Sequence, residues 1–413
     1  LNKSIKINKL IKKSKSIKSR SYSPSINRAL IVTSLKSKPQ NILQICDTIL
    51  KINLGTVENP KCENYNNKKV VKLLLKNLKY SKHLKVSKLI PPRQLMSNCW
   101  FNTMFVTFFF SDKGRKFFRF FRELMIIGKK ANGNKIPEKI HKIFFILNLF
   151  IEASYNNQKS KNKTKKTNKN KKTKTQNNTC LMQQLNSLTK NLNTNFFIYN
   201  LYKIIKNDKN KIDEDIILSN KISNFSNKFS SDFSSDFSSD FSSDISLPNI
   251  KEAGNPLLYY QGIFRYLNYK PLKLLRIESK NKLNIDTYIS DKFINHKNIP
   301  DLIIIEDFGS NKNFNTQYNL TKNNITYNYK LDSIIITNRD HFDPKKNSHF
   351  VSVLTINKKE YKFDGSSYNT LSRFNWKELI NRDKNWSFQE NPNYYPELYN
   401  FTKGYKMMFY YRC

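Results

Sequence analysis

Cys99 is the residue whose position most clearly suggests chemistry. It is followed by an apolar run, residues 100–110, whose hydrophobic side chains would lie all round a helix rather than along one stripe. A helix N-terminus carries a partial positive charge and N–H groups without intrahelical partners, so it favours a thiolate and can hold an oxyanion. The sequence therefore predicts a core helix with a nucleophile at its start. The alternative interpretation is a buried structural cysteine.

His349 and Asp364 lie on two predicted strands that would form one hairpin. Residues 349–356 and 360–363 have strand-like alternation, and residues 357–359 are a polar turn between them. A turn near residue 357 places Asp364 within one or two positions of the residue opposite His349. Cross-strand neighbours lie about 5 Å apart at Cβ, so the carboxylate can hold the imidazole in one tautomer. With Cys99, this pair predicts a nucleophile, a base and an orienting residue.

The elements that must position these residues come as helices first and strands second. Pro91 and Pro92 break the chain before the Cys99 segment, and Ser111 with Asp112 is typical of a helix N-cap. This order predicts an α+β protein in which an N-terminal helical lobe packs on a C-terminal antiparallel sheet. The predicted helices after the Cys99 helix are 113–127, 136–153, 181–205 and 256–269, and the predicted strands are 272–277, 301–305, 327–337, 349–356, 360–363 and 405–412.

Three stretches of the chain have a composition too polar for them to bury much apolar surface. Residues 1–46 contain no acidic residue and are expected to form a flexible basic tail, and residues 156–178 are almost entirely Lys, Asn, Thr, Ser and Gln. A Phe-Ser-Ser-Asp repeat occupies most of residues 226–247. We therefore expect a single domain over residues 47–413, with a helical lobe over about 90–205, a sheet lobe over about 254–413 and two low-complexity insertions.

The chain has a net charge of +42, which arises from 73 Lys and Arg against 31 Asp and Glu. Such a charge is typical of nucleic-acid binding. However, Lys, Asn, Ile, Phe and Tyr are abundant while Gly and Pro are scarce, as an AT-rich coding sequence would produce. A basic nucleic-acid-binding protein is therefore the third hypothesis for function, and only non-specific binding of nucleic acid is expected.

The five cysteines are scattered, and no two of them have C-x-x-C spacing. This spacing predicts neither a disulfide scaffold nor a structural zinc site, and it favours a reducing intracellular compartment such as the cytoplasm. No cofactor or metal is expected. The longest uncharged run, residues 94–111, is interrupted by polar residues, so a membrane span is not expected.

Two groups of residues resemble the motifs of the ubiquitin-specific proteases, a branch of the papain-like cysteine peptidases. That family has a Cys box N-x-x-x-x-C-Y-x-N and a His box Y-x-L-x-A-V-x-V, followed by G-H-Y, W/Y-x-F-D and a last strand like M-L-F-Y-x-R. The resemblance covers mainly residues 90–127 and 325–413, and the nucleophile and the histidine are 250 residues apart. The matching residues are Cys99-Trp100-Phe101-Asn102, Tyr329, Leu331, Ser333, Ile334, Ile336, Ser348-His349-Phe350, Tyr361-Lys362-Phe363-Asp364 and Met408-Phe409-Tyr410-Tyr411-Arg412.

The resemblance implies a papain-like fold and a thiol peptidase that cuts after the C-terminal glycine of ubiquitin or a ubiquitin-like protein. It implies Cys99 as nucleophile, His349 as general base and acid, Asp364 as the residue that orients His349, and Gln94 in place of the oxyanion-hole Asn. The paired C-x-x-C of the zinc-bearing fingers is absent, and Ser348 replaces the family's glycine. This fingerless form is similar to peptidases that large DNA viruses encode, so virus particle components are further candidate partners. The second hypothesis is a catalytically inactive ubiquitin-binding or virion structural protein of the same fold.

Overall fold

All the residues described here belong to one unit of the chain, Ile45–Cys413. Several predicted features lie outside the described residues. They are the predicted tail up to residue 45, both low-complexity insertions, Ser348 and most of the predicted helix 256–269. The computed structural model describes residues 46, 48–56, 59–80, 84–94, 98–155, 194–205, 260, 263–264, 266–267, 274–279, 284–307, 313–338, 349–367, 370–388 and 397–413.

The first half of the unit is helical after one short hairpin. The hairpin pairs β1 (Lys51–Asn53) with β2 (Cys62–Asn64), and the helices are α1 (Lys68–Tyr80), α2 (Cys99–Phe109), α3 (Asp112–Phe117), α4 (Arg119–Ile127), α5 (Glu138–Ser154) and α6 (Thr194–Ile205). The prediction of one helix over 113–127 is wrong in detail, because the chain breaks at Phe118 into α3 and α4. Ser111 is the N-cap of α3, as predicted, and its hydroxyl accepts a hydrogen bond from the N–H of Gly114.

The second half supplies the strands of one eight-stranded sheet. The strands are β3 (Leu274–Ser279), β4 (Leu302–Asp307), β5 (Gln317–Lys322), β6 (Ile325–Thr337), β7 (Phe350–Ile356), β8 (Lys359–Phe363), β9 (Leu371–Arg373) and β10 (Lys406–Arg412), and α7 (Ile285–Asn295) lies between β3 and β4. The order across the sheet is β3-β4-β10-β6-β7-β8-β9, and β5 pairs with β6 off this path. Helices followed by a largely antiparallel sheet confirm the predicted α+β class.

The sheet departs from the predicted fully antiparallel arrangement at one edge. β3 and β4 pair in parallel, with Leu274 opposite Leu302. Parallel neighbours need a crossover between them, and α7 provides it. This helix was not among the predicted elements, since its sequence mixes apolar side chains with polar and charged ones. Its buried side chains, Ile285, Ile289 and Phe293, pack on the sheet face that lies away from α2.

The two faces of the sheet bury separate cores because strand side chains alternate between faces. One face packs against the helices, and the rings of Phe108 in α2 and Phe409 in β10 meet at 5.9 Å between centroids. The other face is covered by α7 and by side chains from residues 374–388 and 397–401, including the buried Trp376. The sheet therefore provides a fixed platform on which α2 is held.

Two aspartates connect the helices to the sheet through backbone hydrogen bonds. The Asp112 carboxylate accepts hydrogen bonds from the N–H groups of Asn357 and Lys358 in the β7–β8 turn, both at 2.8 Å. Asp332 of β6 accepts one from the N–H of Lys113 at 2.9 Å. Since Asn357 and Lys358 have positive φ, this tight turn presents both N–H groups to one carboxylate.

We expect the Asp332 carboxyl to make the stability of the protein depend on pH. Burial raises its pKa to about 6, despite the opposing hydrogen bonds from Ser111 and Lys113. A carboxyl with a higher pKa in the folded chain stabilises the fold less as pH rises from about 4 to about 6. Over that range, the free energy of unfolding of the wild-type protein should fall relative to that of Asp332→Asn by on the order of 3 kcal/mol.

Chemical denaturation at several pH values tests this expectation, with Asp291→Asn as the control because Asp291 is an exposed carboxyl of α7. The control should track wild type at every pH. A constant difference between wild type and Asp332→Asn, or one that moves in favour of wild type, would contradict the raised pKa of Asp332.

A disulfide bond joins Cys46 and Cys62, with an S–S distance of 2.09 Å. The prediction against disulfide bonding is therefore wrong at this pair. The spacing of 16 residues gave no indication of the bridge, which forms because the turn into β1 and the pairing of β1 with β2 bring the two Cα atoms to 5.7 Å. Within the described part of the chain, no helix is long and apolar enough to cross a membrane.

Candidate active site

Helix α2 begins at Cys99, which places this thiol at the N-terminus of a fully buried helix. Every residue from Cys99 to Phe109 is buried, and Cys99 itself is 5% exposed. The predicted start of the helix is confirmed, and so is the apolar character all round it. Cys99 therefore lies in the core at a fixed position, at the end of the helix where backbone N–H groups point outward.

His349 and Asp364 form a buried hydrogen-bonded pair at one end of the β7–β8 hairpin. Nε2 of His349 lies 2.7 Å from Oδ1 of Asp364, and the two residues are 9% and 6% exposed. His349 directly precedes β7, and Asp364 directly follows β8, so the strand pairing fixes their separation. His349 also interacts with Cys99, and this interaction contributes to raising the pKa of the imidazole.

The electrostatics of this pair favour a charged imidazole. Burial alone would lower the pKa of His349, but hydrogen bonds to Asp364 and Cys99 and the charges of these groups outweigh it and raise the pKa to about 10. Burial likewise works against the carboxylate of Asp364, and hydrogen bonds from His349 and Ser366 overcome it, so the pKa of Asp364 is lowered. At neutral pH, His349 therefore carries a proton and Asp364 carries a negative charge.

A buried polar network holds the start of α2. The amide of Asn98 donates to the hydroxyl of Thr194 at 2.7 Å, and this hydroxyl donates to Asn102 at 2.8 Å. The amide of Asn102 donates to the carbonyl of Arg93 at 3.1 Å. Because α6 contributes Thr194, the network fixes α2 both to another helix and to the segment that precedes Cys99. Asn98 and Thr194 were not among the predicted site residues, and no local pattern connects them, since they lie 96 residues apart.

Gln94 is held next to the pair by its backbone. Its N–H donates to the carbonyl of Gly365 at 2.9 Å, directly after Asp364 in the chain. A Cβ atom at position 365 would lie 3.1 Å from the nitrogen of Gln94, so glycine permits this close approach. The side-chain oxygen Oε1 of Gln94 is buried and has no hydrogen-bond partner among the described residues. Since the carbonyl of Arg93 accepts a hydrogen bond from Asn102 of α2, Gln94 lies between α2 and the Asp364 turn.

Ser366 is part of the site and was missing from the predicted residues. Its hydroxyl lies 3.2 Å from Nε2 of His349 and 2.9 Å and 3.0 Å from the two carboxylate oxygens of Asp364. The strand register contained the signal, because Ser352 pairs with Phe363 and three more steps place position 366 opposite His349. Tyr399 also lies close, since the charges of Asp364 and Cys99 contribute, after burial and Glu397, to raising its pKa.

The structure thus brings Cys99, His349 and Asp364 into one chain of contacts, with Gln94 tied to it through Gly365. A thiol, an imidazole that can give and take a proton, and a carboxylate that fixes the imidazole are the parts of nucleophilic catalysis at a carbonyl carbon. Among the described residues, no group of three or more His, Cys, Asp and Glu side chains is placed to hold a metal ion.

No protein-family model matches this chain, and no curated protein matches it either. Among solved structures, the chain is similar in part to one described as a SAGA DUB module that contains Ubp8, Sgf11, Sus1 and Sgf73. The match covers 28% of this chain and 24% of that chain, with 13% sequence identity and a TM-score of 0.18. This chain therefore matches about a quarter of the length of the solved chain.

Proposed function

We propose that this protein is a papain-like thiol peptidase with Cys99 as the nucleophile. The observation that carries the proposal is the buried contact chain from Cys99, at the start of α2, through His349 to Asp364. Three residues from two distant parts of the chain meet in the order that the chemistry requires: nucleophile, proton carrier and orienting carboxylate. A structural cysteine needs neither a hydrogen-bonded imidazole nor a carboxylate behind that imidazole.

The first half of the reaction forms an acyl-enzyme. With the proton of the Cys99 thiol transferred to Nδ1 of His349, the sulfur attacks the carbonyl carbon of the scissile bond, and the carbonyl oxygen takes up the negative charge. We assign its stabilisation to the N–H of Cys99 at the helix start and to the side-chain amide of Gln94, with Nε2 turned to the oxyanion. The C–N bond then breaks, and the proton on Nδ1 of His349 passes to the departing amine. The products of this half are a free amine and a thioester on Cys99.

The second half returns the enzyme to its starting state. A water molecule gives a proton to Nδ1 of His349 while its oxygen attacks the thioester carbon. The C–S bond breaks, which releases a carboxylic acid and leaves the electron pair on Cys99. Asp364 stays ionised throughout and keeps the Nε2 proton of His349 in place.

The substrate class follows from the sequence motifs rather than from the site. Because the Cys box and the His box resemble those of the ubiquitin-specific proteases, we propose that the acyl group is the C-terminal glycine of ubiquitin or a ubiquitin-like protein. The leaving amine is then a lysine side chain or the N-terminus of a peptide. We propose one papain-like domain over residues 47–413, with the helical lobe over about 90–205 and the sheet lobe over about 254–413.

The test is to label the purified chain with ubiquitin that carries a thiol-reactive electrophile at its C-terminus. We expect one covalent adduct, mapped to Cys99 by mass spectrometry, because the probe places its electrophile where the scissile carbonyl would lie. Cys413 is the internal reference, since it is a free, exposed cysteine that lies outside the site.

Three outcomes separate the parts of the proposal. An adduct on Cys99 supports both the nucleophile and the substrate class. If the probe does not react while iodoacetamide still alkylates Cys99 faster than Cys413, the thiol peptidase stands and ubiquitin is wrong as the substrate. If neither reagent prefers Cys99, the proposed function is wrong and the inactive alternative is favoured.

A further inference from the structure

We propose that Ser366 is a positioning residue that holds the Asp364 carboxylate and the His349 ring in their reactive alignment. This inference deepens the proposed function and depends on it. Ser366 makes no contact with Cys99 that would give it a part in bond making. It acts through the two residues that it touches.

Ser366 approaches the Asp364 carboxylate with two donors. The backbone N–H of Ser366 lies 2.9 Å from Oδ1, and its hydroxyl lies 2.9 Å from Oδ1 and 3.0 Å from Oδ2. Oδ1 is also the atom that accepts from Nε2 of His349. The carboxylate is therefore fixed at both oxygens, so it cannot rotate away from the imidazole without losing the Ser366 contacts.

The hydroxyl of Ser366 also touches the ring itself, at 3.2 Å from Nε2 of His349. It can donate its proton to the carboxylate while its lone pair faces the N–H of the ring. This contact lies on the open side of the pair, because Ser366 is exposed whereas His349 and Asp364 are buried. Ser366 thus occupies the place from which a water molecule could otherwise compete for the Nε2–H or for Oδ1.

The alignment of the His349 ring matters because the ring exchanges a proton with two different groups, first the leaving amine and then water. In the first half of the reaction its Nδ1 proton goes to the leaving amine, and in the second half Nδ1 takes a proton from water. Both transfers require the ring to stay in one plane while its charge changes, and the hydrogen bond from Nε2 to Asp364 is the contact that holds this plane. A carboxylate that is free to swing would let the ring swing with it.

The neighbouring glycine gives this short turn a second role. Asp364, Gly365 and Ser366 follow one another, and the Gly365 carbonyl accepts the N–H of Gln94 at 2.9 Å. The same three residues therefore support the orienting carboxylate, the ring and the segment that carries the proposed oxyanion donor. The side chain of Ser366 contributes to the first two, so its effect can be tested without disturbing Gln94.

The experiment compares Ser366→Ala, Ser366→Thr and Ser372→Ala in the full chain. Ser372 lies in β9 on the other side of β8 from β7, and its variant is the matched control. The first readout is the rate at which iodoacetamide alkylates Cys99 relative to Cys413, which needs no ubiquitin. The second is kcat and KM on a ubiquitin–lysine isopeptide. The third is the midpoint of thermal unfolding.

For Ser366→Ala we expect kcat to fall about tenfold to a hundredfold, as for the loss of a hydrogen bond to a charged group, with KM unchanged. The preference for alkylating Cys99 should also fall. Ser366→Thr keeps the hydroxyl and should restore both rates, and Ser372→Ala should behave as wild type. The unfolding midpoint should fall by no more than about a few degrees, since removing an exposed hydroxyl leaves no cavity in the core and water can take its place at the carboxylate.

Two results would overturn the proposal. One is wild-type kcat and wild-type alkylation in Ser366→Ala. The other is a loss of rate that follows a lowered unfolding midpoint and that Ser366→Thr does not restore, which would make Ser366 a structural residue. If wild-type protein itself shows no preference for Cys99, the proposed function fails, and the role of Ser366 fails with it. If wild type prefers Cys99 but does not cleave ubiquitin, the alkylation readout alone decides the role of Ser366.

Discussion

Replacing Cys99 by alanine is expected to reduce cleavage of a ubiquitin–lysine isopeptide to background, a loss of about 10,000-fold or more. The reason is that the acyl-enzyme cannot form without the sulfur, and water has no equally placed nucleophile to replace it. The fold should survive, because Cys99 is small and its loss leaves only a small cavity at the start of α2. Binding of ubiquitin, measured by calorimetry, should remain within a few-fold of wild type.

The matched controls for this prediction are Cys99→Ser and Cys413→Ala. The serine variant keeps the size and the hydrogen bond to His349 but has a far weaker nucleophile, so it should be nearly as inactive as the alanine variant. Cys413 is exposed and lies outside the site, and its replacement should leave turnover unchanged. Full turnover by Cys99→Ala would rule out thiol catalysis at this position, whatever the other variants do.

Replacing His349 by glutamine is the second large effect, with kcat expected to fall by about 1,000-fold or more. Glutamine removes the group that moves protons at Nδ1, yet its amide can still donate to Asp364, which avoids leaving a buried carboxylate without a partner. In the proposed mechanism Cys99 and His349 act in the same step, so the double variant with Cys99→Ala should be no less active than Cys99→Ala alone. If the losses of activity of the two single variants multiplied in the double variant, Cys99 and His349 would not act in the same step.

The contacts of His349 with Asp364 and Cys99 also predict how kcat depends on pH. The pKa of His349 is about 10, raised by its bonds to Asp364 and Cys99 against the effect of burial. In the proposed mechanism the imidazolium is the acid for the leaving amine, so kcat should decline only as pH rises toward that value. Asp364→Asn removes the negative charge behind the ring and lowers the pKa of His349, so the decline should begin at a lower pH. An unchanged profile in Asp364→Asn would mean that Asp364 does not set the charge of His349.

Local patterns in the sequence determined the helix and the hairpin that position the candidate catalytic residues. The apolar run after Cys99 can satisfy its backbone and bury its side chains only as a core helix, and α2 begins at Cys99 as predicted. The alternation on both sides of Asn357 determined the β7–β8 hairpin, which places Asp364 beside His349. Both predictions succeed because the periodicity of a helix or a hairpin is set by residues that are close in the chain.

The tertiary structure alone decided how these elements meet. Cys99 and His349 are 250 residues apart, and nothing in their spacing fixes a hydrogen bond between them. The parallel pairing of β3 with β4, the disulfide between Cys46 and Cys62 and the Asn98–Thr194 contact likewise depend on how whole elements pack. Long-range contacts form only where the burial of two apolar faces outweighs the entropy lost in joining distant segments. This balance between burial and entropy depends on how the whole sheet and the helices pack, so it cannot be read from any short stretch of the sequence.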